Sequence, residues 1–214
     1  MEYGLRIATL DKAHGNPGEF CDTKLWDMCP DAQLAALYFG TEFCQDLLPT
    51  IGEAEAFCIH CKQHDLEAVL LTPLVTNRGL NRLSRLLSHL TREGWAPAVV
   101  FNDWGVFELL RTKHPALSKT MGRLMNRGLR DPRLVMQARG SEGENTRRGA
   151  GIRKLASSLG VSAIESDADL DPGYLGTGSE GLLRTLHLPF TFVASGRNCL
   201  GKAGATAAGK GMFA

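Results

Sequence analysis

The sequence predicts an α/β fold in which a largely parallel sheet curls into a (β/α) barrel-like domain of the TIM type, either complete or incomplete. Short β-type runs alternate with helical patterns, which is the rhythm of parallel α/β sheets. About seven such runs, spaced by roughly 25 to 35 residues, favour a barrel over a two-layer antiparallel fold. An open doubly wound parallel sheet is the alternative. The predicted strands are residues 5–10, 34–39, 68–72, 98–101, 133–137, 162–165 and 190–194.

Apolar spacing predicts the helices between these strands. Residues 53–65 read as the helix between the second and third strands. Leucines at positions 80, 83, 86, 87 and 90 share one face of a helix that ends at Gly94. Another helix starts after Asp103 and carries Val106, Leu109 and Leu110. By contrast, residues 140–151 are rich in Gly, Glu and Arg and predict a mobile loop.

Composition indicates one globular α/β domain over residues 1–200, followed by a low-complexity tail over residues 201–214. The chain has 214 residues, of which 43% are hydrophobic and 22% charged. Its formal charge of +1 favours neither nucleic acid nor membrane as a partner. Residues 111–154 hold twelve basic and three acidic residues. That segment is interpreted as a solvated basic face or, alternatively, as an anion or RNA contact.

The distribution of apolar and charged residues predicts a cytoplasmic protein without a membrane span. No apolar run approaches the ~18 residues that a spanning helix needs, and no cationic leader precedes an apolar segment. In that compartment the six cysteines are expected to be thiols or metal ligands rather than a disulfide framework.

Candidate site residues follow from a rule of parallel sheets, in which the loops at the carboxyl ends of the strands build the site. Cys44 and Cys199 both fall at such ends, where they either share an iron–sulfur cluster or zinc, or are unrelated small residues. Acid–base roles are open for His14, Asp103, Glu165 and Asp167, with helix capping as the alternative. The full set comprises Thr41, Glu42, Cys44, Thr72, Asn102, Asp103, Gln137, Arg139, Glu165, Asp167, Ser195, Arg197 and Cys199.

A second cysteine motif is Phe57-Cys-Ile-His-Cys61, followed by His64. A C-x-x-C pair is half of a zinc site or a redox pair. However, Cys58 and Cys61 lie one turn apart on a predicted helix, and no second C-x-x-C follows. Helix packing is therefore the favoured interpretation, with the metal and redox roles left open.

Three stretches carry a resemblance to a known family. They are Tyr38-Phe-Gly-Thr-Glu-Phe-Cys44, Asn102-Asp-Trp-Gly-Val106 and Leu188-Pro-Phe-Thr-Phe-Val-Ala-Ser-Gly-Arg-Asn-Cys199. In this order they resemble segments of the collagenase-like peptidase family of unknown catalytic type, family U number thirty-two. The resemblance is nearest to its UbiU/UbiV-like branch of ubiquinone-biosynthesis proteins.

This resemblance implies a barrel-like fold and a [4Fe-4S] cluster with Cys44 and Cys199 among its ligands. The family's remaining two cysteines would form a C-terminal pair that the 214 residues do not include. The chain is therefore expected to be C-terminally truncated, to use other ligands, or to have lost the cluster. Asn102, Asp103 and Arg197 would line the catalytic pocket.

The implied activity is an oxygen-independent hydroxylation or related redox modification of a ubiquinone precursor or an RNA base, with a homologous subunit as a possible partner. One alternative is a peptidase or other hydrolase of the collagenase-like type. Another is a non-catalytic protein that binds RNA or a protein partner through residues 111–154.

Overall fold

A computed structural model describes residues 2–6, 31, 33–125, 144–167 and 182–188 of the chain. Within these ranges the protein is a mixed α/β structure built on one seven-stranded parallel sheet. The strands are β1 (Glu2–Arg6), β2 (Gln33–Gly40), β3 (Glu67–Leu71), β4 (Ala98–Phe101), β5 (Lys119–Met121), β6 (Ala163–Asp167) and β7 (Leu183–His187). The predicted α/β class with a parallel sheet is confirmed.

The described helices are α1 (Ile51–Gln63), α2 (Asn77–Arg92), α3 (Trp104–Lys113) and α4 (Glu144–Ser158), with a 3-10 turn at Gln45–Leu47. The predicted leucine face of α2 is confirmed, since Leu83, Leu86, Leu87 and Leu90 are buried. This helix ends as expected at Gly94, whose φ of 81° lets the Trp95 N–H reach back to the carbonyl of Leu90. Within the described residues, no helix is both long enough and apolar enough to cross a bilayer.

The strand order is β1-β2-β3-β4-β5-β6-β7, with every neighbouring pair parallel. A doubly wound sheet would show a reversal in this order, and the described strands have none. The sheet is also curled. Neighbouring strands lie ~4.8 Å apart, so β2 and β6 would be roughly 19 Å apart in a flat sheet. The Tyr38 hydroxyl of β2 nevertheless forms hydrogen bonds with Glu165 of β6 and Thr185 of β7.

Alternate residues of the strands pack into two separate clusters. On the outer face, Leu37, Phe39, Leu70, Val99 and Phe101 pack against the helices in the larger core. On the inner face, a smaller cluster consists of Ala36, Val69, Leu71, Ala98 and Val100, with Tyr38 packed against it. Because side chains alternate along a strand, the inner face continues into the residues at the carboxyl ends of the strands. The sheet is thus a curled half-barrel with its helices outside.

Two strands and one helix were not anticipated. The strand β5 is only three residues long, and β7 mixes leucines with polar residues, so neither shows a recognisable apolar run. The predicted loop at residues 140–151 is wrong from residue 144 onward, because α4 begins there. Glycines at positions 149 and 151 lower helix propensity. Packing of Ile152, Ala156 and Leu159 against the outer core outweighs that cost.

The predicted strands at residues 133–137 and 190–194 lie outside the described residues, as does the tail at residues 201–214.

The start of α1 yields a prediction about stability. Thr50 and Glu53 form a capping box, in which the Thr50 hydroxyl accepts the Glu53 N–H and the Glu53 carboxylate accepts the Thr50 N–H at 2.7 Å. Thr50→Ala should lower the free energy of unfolding by about 1 kcal/mol, since it removes the cap. Urea denaturation measures this change. Ser88→Ala, which removes an exposed hydroxyl from the middle of α2, is the matched control and should change stability far less.

The capping box should also respond to pH. Hydrogen bonds from the backbone and hydroxyl of Thr50 lower the pKa of Glu53 below its ordinary value of 4.5. The Glu53 carboxylate therefore contributes to the free energy of unfolding at pH values above its ordinary pKa. This contribution is lost as the pH falls through the lower pKa of the folded state. If Thr50→Ala and Ser88→Ala lower the free energy of unfolding by the same amount, the capping role is contradicted.

Candidate active site

Acidic and basic side chains from five strands collect at the carboxyl edge of the sheet. Arg6 ends β1, and Glu42 and Arg123 follow β2 and β5 by two residues. The other three are Glu165 and Asp167 in β6 and His187 at the end of β7. Glu42 and Glu165 are fully buried. Burial of charge is costly unless it is paired, so the contacts of this cluster determine what it can do.

The turn after β2 places Glu42 in the cluster. Gly40 has a φ of 89°, and a Cβ there would lie 2.6 Å from the carbonyl oxygen of Leu71, so only glycine fits. Thr41 continues the pairing, with its N–H donating to that same carbonyl at 3.2 Å. The Thr41 hydroxyl accepts the N–H groups of Phe43 and Cys44 at 3.4 and 3.3 Å. These bonds hold the turn that carries Glu42.

Arg123 is the central cation of the cluster. Its side chain is only 8% exposed and donates to both oxygens of Glu42, at 2.9 and 2.7 Å. A third N–H group donates to Asp167 at 2.7 Å. The ring of Phe43 lies 5.6 Å from the guanidinium and gives a cation–π contact. One side chain thereby links the segments that follow β2 and β5 to β6.

Glu165 lies beside His187, with 3.0 Å between the Glu165 Oε2 and His187 Nε2 atoms. Tyr38 contacts Glu165 from across the curl of the sheet. Burial, followed by the nearby Glu165 charge, raises the pKa of Tyr38 above its ordinary value of 10.0. The Tyr38 hydroxyl therefore stays protonated and can donate a hydrogen bond to the carboxylate.

The side chains of Glu42, Glu165 and His187 form a possible metal-ligating group. One ligand atom from each lies within 4.8 Å of the others. Metal–oxygen and metal–nitrogen bonds are about 2.1 Å long, which places neighbouring ligands ~3 Å and opposite ligands ~4 Å apart. The Glu165–His187 distance of 3.0 Å lies in this range, and the limit of 4.8 Å for the group is somewhat wider. Carboxylate and imidazole together suit divalent zinc, manganese or iron.

The predicted pocket residues Asn102 and Asp103 lie at the carboxyl end of β4 and are buried. The Asn102 amide donates to the carbonyl of Thr72 at 2.9 Å and accepts the Leu124 N–H at 3.1 Å. Asp103 caps α3 by accepting the Gly105 N–H at 2.7 Å, and also accepts the Val75 N–H at 3.3 Å. The described contacts of both side chains thus hold neighbouring backbone in place. Catalytic roles for both remain predictions.

The cysteines fall into two environments. Cys44 is partly exposed at the carboxyl end of β2, on the same edge as Glu42. Cys58 and Cys61 are buried in the outer core on α1, and burial raises their pKa values to about 12 and about 11. Such thiols are poor metal ligands or redox groups at neutral pH, which agrees with the packing interpretation. Cys199 and Arg197, together with His14, Gln137, Arg139 and Ser195, lie outside the described residues.

Sequence reasoning collected Glu42, Glu165 and Asp167 but missed Arg6, Arg123 and His187. Arg6 ends β1 but lies inside the first predicted strand, residues 5–10. Arg123 and His187 follow or end the strands that were not recognised, β5 and β7. The strand-end rule would have found them only if those strands had been seen. Their partners are distant in sequence, since Arg123 and Glu42 are 81 positions apart.

An open depression lies along α4, lined by Ala150, Gly151, Lys154, Ser157 and Ser158. Its lining contains a single charged side chain and no carboxylate, imidazole or thiol. It therefore offers less chemistry than the strand-end cluster, which is the candidate active site.

Comparison with known proteins gives no match to a protein family, a curated sequence or a solved structure. The resemblance to the collagenase-like peptidases thus rests on the three short stretches alone and stays a prediction.

Removal of the Arg123 guanidinium tests whether this side chain stabilises the carboxyl edge of the sheet. Arg123→Ala leaves the Glu42 and Asp167 carboxylates buried without their shared partner, and should lower the free energy of unfolding by about 3–5 kcal/mol. The control is Arg111→Ala, which breaks the exposed pair with Glu108 and should have little effect. Urea denaturation of both variants is the measurement. A small effect at position 123 would mean that the cluster does not organise the carboxyl edge.

Proposed function

We propose that the protein is a metal-dependent enzyme, hydrolytic in its chemistry, whose reaction takes place at the carboxyl edge of a TIM-type barrel. The single observation that carries this proposal is the convergence of Glu42, Glu165 and His187 from β2, β6 and β7. Active sites of parallel barrels lie at this edge. Among the functions that the sequence leaves open, the arrangement favours the hydrolase.

The donor set supports a catalytic rather than a purely structural ion. Three protein ligands leave further coordination positions for water and substrate, as in catalytic zinc sites. Side chains of His187 and of the two glutamates would hold the cation, which supplies Lewis-acid activation of water and of a substrate oxygen. His187, with 19% of its side chain exposed, is the most accessible of the three ligands.

Charge in the cluster is compatible with a bound cation. Among the described residues, Glu42 and Asp167 pair with the guanidiniums of Arg6 and Arg123, whereas Glu165 contacts His187. The three acidic side chains of the cluster thus outnumber its two arginines.

Neighbouring side chains orient the ligands. Arg123 bonds both oxygens of Glu42, and the Tyr38 hydroxyl bonds Glu165. Hydrogen bonds of this kind fix the direction of ligating carboxylates, and their loss commonly weakens metal binding about 10- to 100-fold.

Direct titration tests the metal site. After treatment with a chelator, the protein should bind about one Mn²⁺ or Zn²⁺ ion per chain in isothermal titration calorimetry. Glu165→Gln and His187→Gln should each weaken binding at least about tenfold, because each removes a ligand.

His64→Gln is the control, since His64 is exposed and lies at the far end of α1. Circular dichroism establishes that each variant is folded. Equal affinity in the wild type and both ligand variants would refute the site.

A second candidate function is the iron–sulfur redox enzyme that the family resemblance implies. The observation that favours it is the place of Cys44, which is partly exposed and lies two residues after Glu42. This is the strand-end position that the resemblance assigns to a cluster ligand. Among the described residues, the remaining cysteines are the buried Cys58 and Cys61, so the cluster would depend on Cys199 and on ligands outside the described ranges.

Anaerobic reconstitution with iron and sulfide distinguishes the two candidates. If a cluster forms, Cys44→Ala and Cys199→Ala should each lower the bound iron and sulfide at least about fivefold, because thiolates are the cluster ligands. Cys58→Ala is the control and should keep the wild-type iron content. Full iron loading in Cys44→Ala and Cys199→Ala would end this second candidate.

A further inference from the structure

Arg6 differs from the other cation of the cluster in its exposure. Its side chain is 47% exposed, whereas that of Arg123 is 8% exposed. Arg6 is paired in register with Tyr38, which lies on the inner face of the sheet. Because paired residues on neighbouring strands point to the same face, Arg6 points inward as well. The guanidinium thus borders the candidate active site and remains accessible to solvent.

Within the described part of the chain, the Arg6 guanidinium makes few contacts. Its one described contact is from its Nη1 atom to the Glu42 Oε2 atom at 3.4 Å, which is long for a charged hydrogen bond. Both oxygens of Glu42 already accept shorter bonds from Arg123, at 2.9 and 2.7 Å. Glu42 therefore does not need Arg6 for its neutralisation. Arginine has five N–H donors in a fork that matches a carboxylate or a phosphate.

We propose that Arg6 binds an oxyanion of the substrate, a carboxylate or a phosphate, next to the metal site. The proposal deepens the metal-dependent function and rests on it. Glu42, whose Oε2 atom lies 3.4 Å from Arg6 Nη1, also contributes to the possible metal-ligating group. One carboxylate would thus lie between the guanidinium and a bound ion. A small oxyanion held by Arg6 would be next to the residues that would hold the ion.

This position makes Arg6 a residue for substrate binding rather than for assembly of the metal site. Its removal leaves the three ligands and the bonds from Arg123 to Glu42 in place. Oxyanion affinity should therefore fall while metal affinity stays nearly unchanged. A purely structural role for Arg6 would change both affinities or neither.

The experiment uses two probes, oxalate for a carboxylate and inorganic phosphate for a phosphoryl group. Each probe is titrated calorimetrically into the Mn²⁺-loaded 214-residue chain, after the Mn²⁺ affinity itself has been measured. In Arg6→Gln the affinity for the preferred probe should fall at least about tenfold, the value of a charge-assisted pair of hydrogen bonds. The Mn²⁺ affinity should stay within about twofold. Tighter binding of oxalate or of phosphate identifies which oxyanion the substrate carries.

Two further variants complete the design. Arg6→Lys keeps the charge but not the fork, and should retain part of the affinity. Arg78→Gln removes an exposed arginine of α2 and should change neither affinity. Oxalate and phosphate binding in Arg6→Gln equal to that of the wild type would overturn the proposal. If the wild type binds no Mn²⁺, the metal-dependent function fails, and the same titrations on the metal-free protein then decide the Arg6 site separately.

Discussion

The Arg123 guanidinium, buried between the carboxylates of Glu42 and Asp167, is the interaction on which the carboxyl edge of the sheet depends. Isolated carboxylates at these depths would be too costly to keep ionised. A bidentate arginine lowers that cost because it matches one carboxylate with two parallel bonds and still has donors for a second. Three strands that are not all neighbours in the sheet are thereby connected at their ends. The geometry of the candidate active site follows from this connection.

Curling of the sheet is the second constraint, and the inner face explains it. Small residues such as Ala36 and Ala98 line that face, which leaves room for the opposite strands to approach. The Tyr38 side chain then spans the interior and meets Glu165. Large residues on the outer face pack instead against the helices. The difference in side-chain size between the two faces thus supports both the curvature and a polar interior at the strand ends.

Different parts of the candidate site were predictable to different degrees. Glu42 and Glu165 follow from the strand-end rule because their strands were recognised, β2 from its apolar run and β6 from the apolar pair Ala163-Ile164. His187 does not, because its strand has only two leucines, three positions apart and both exposed, among polar residues. The helix α4 was likewise not predicted, because its glycines are unfavourable in helices. Contacts with residues of the outer core that are distant in sequence stabilise it. Sequence patterns within one segment therefore did not predict elements whose stabilising contacts come from distant parts of the chain.

By itself, the sequence determined the alternation of strands and helices, the parallel class of the sheet and the leucine face of α2, since each depends on periodicity within one segment. It also determined that Cys58 and Cys61 share one turn of a helix. Only the tertiary structure decided that Arg123 pairs with Glu42 and that Glu165 meets His187 and Tyr38. The physical reason is that these contacts depend on the curvature and register of the assembled sheet. No single segment of the chain encodes either property.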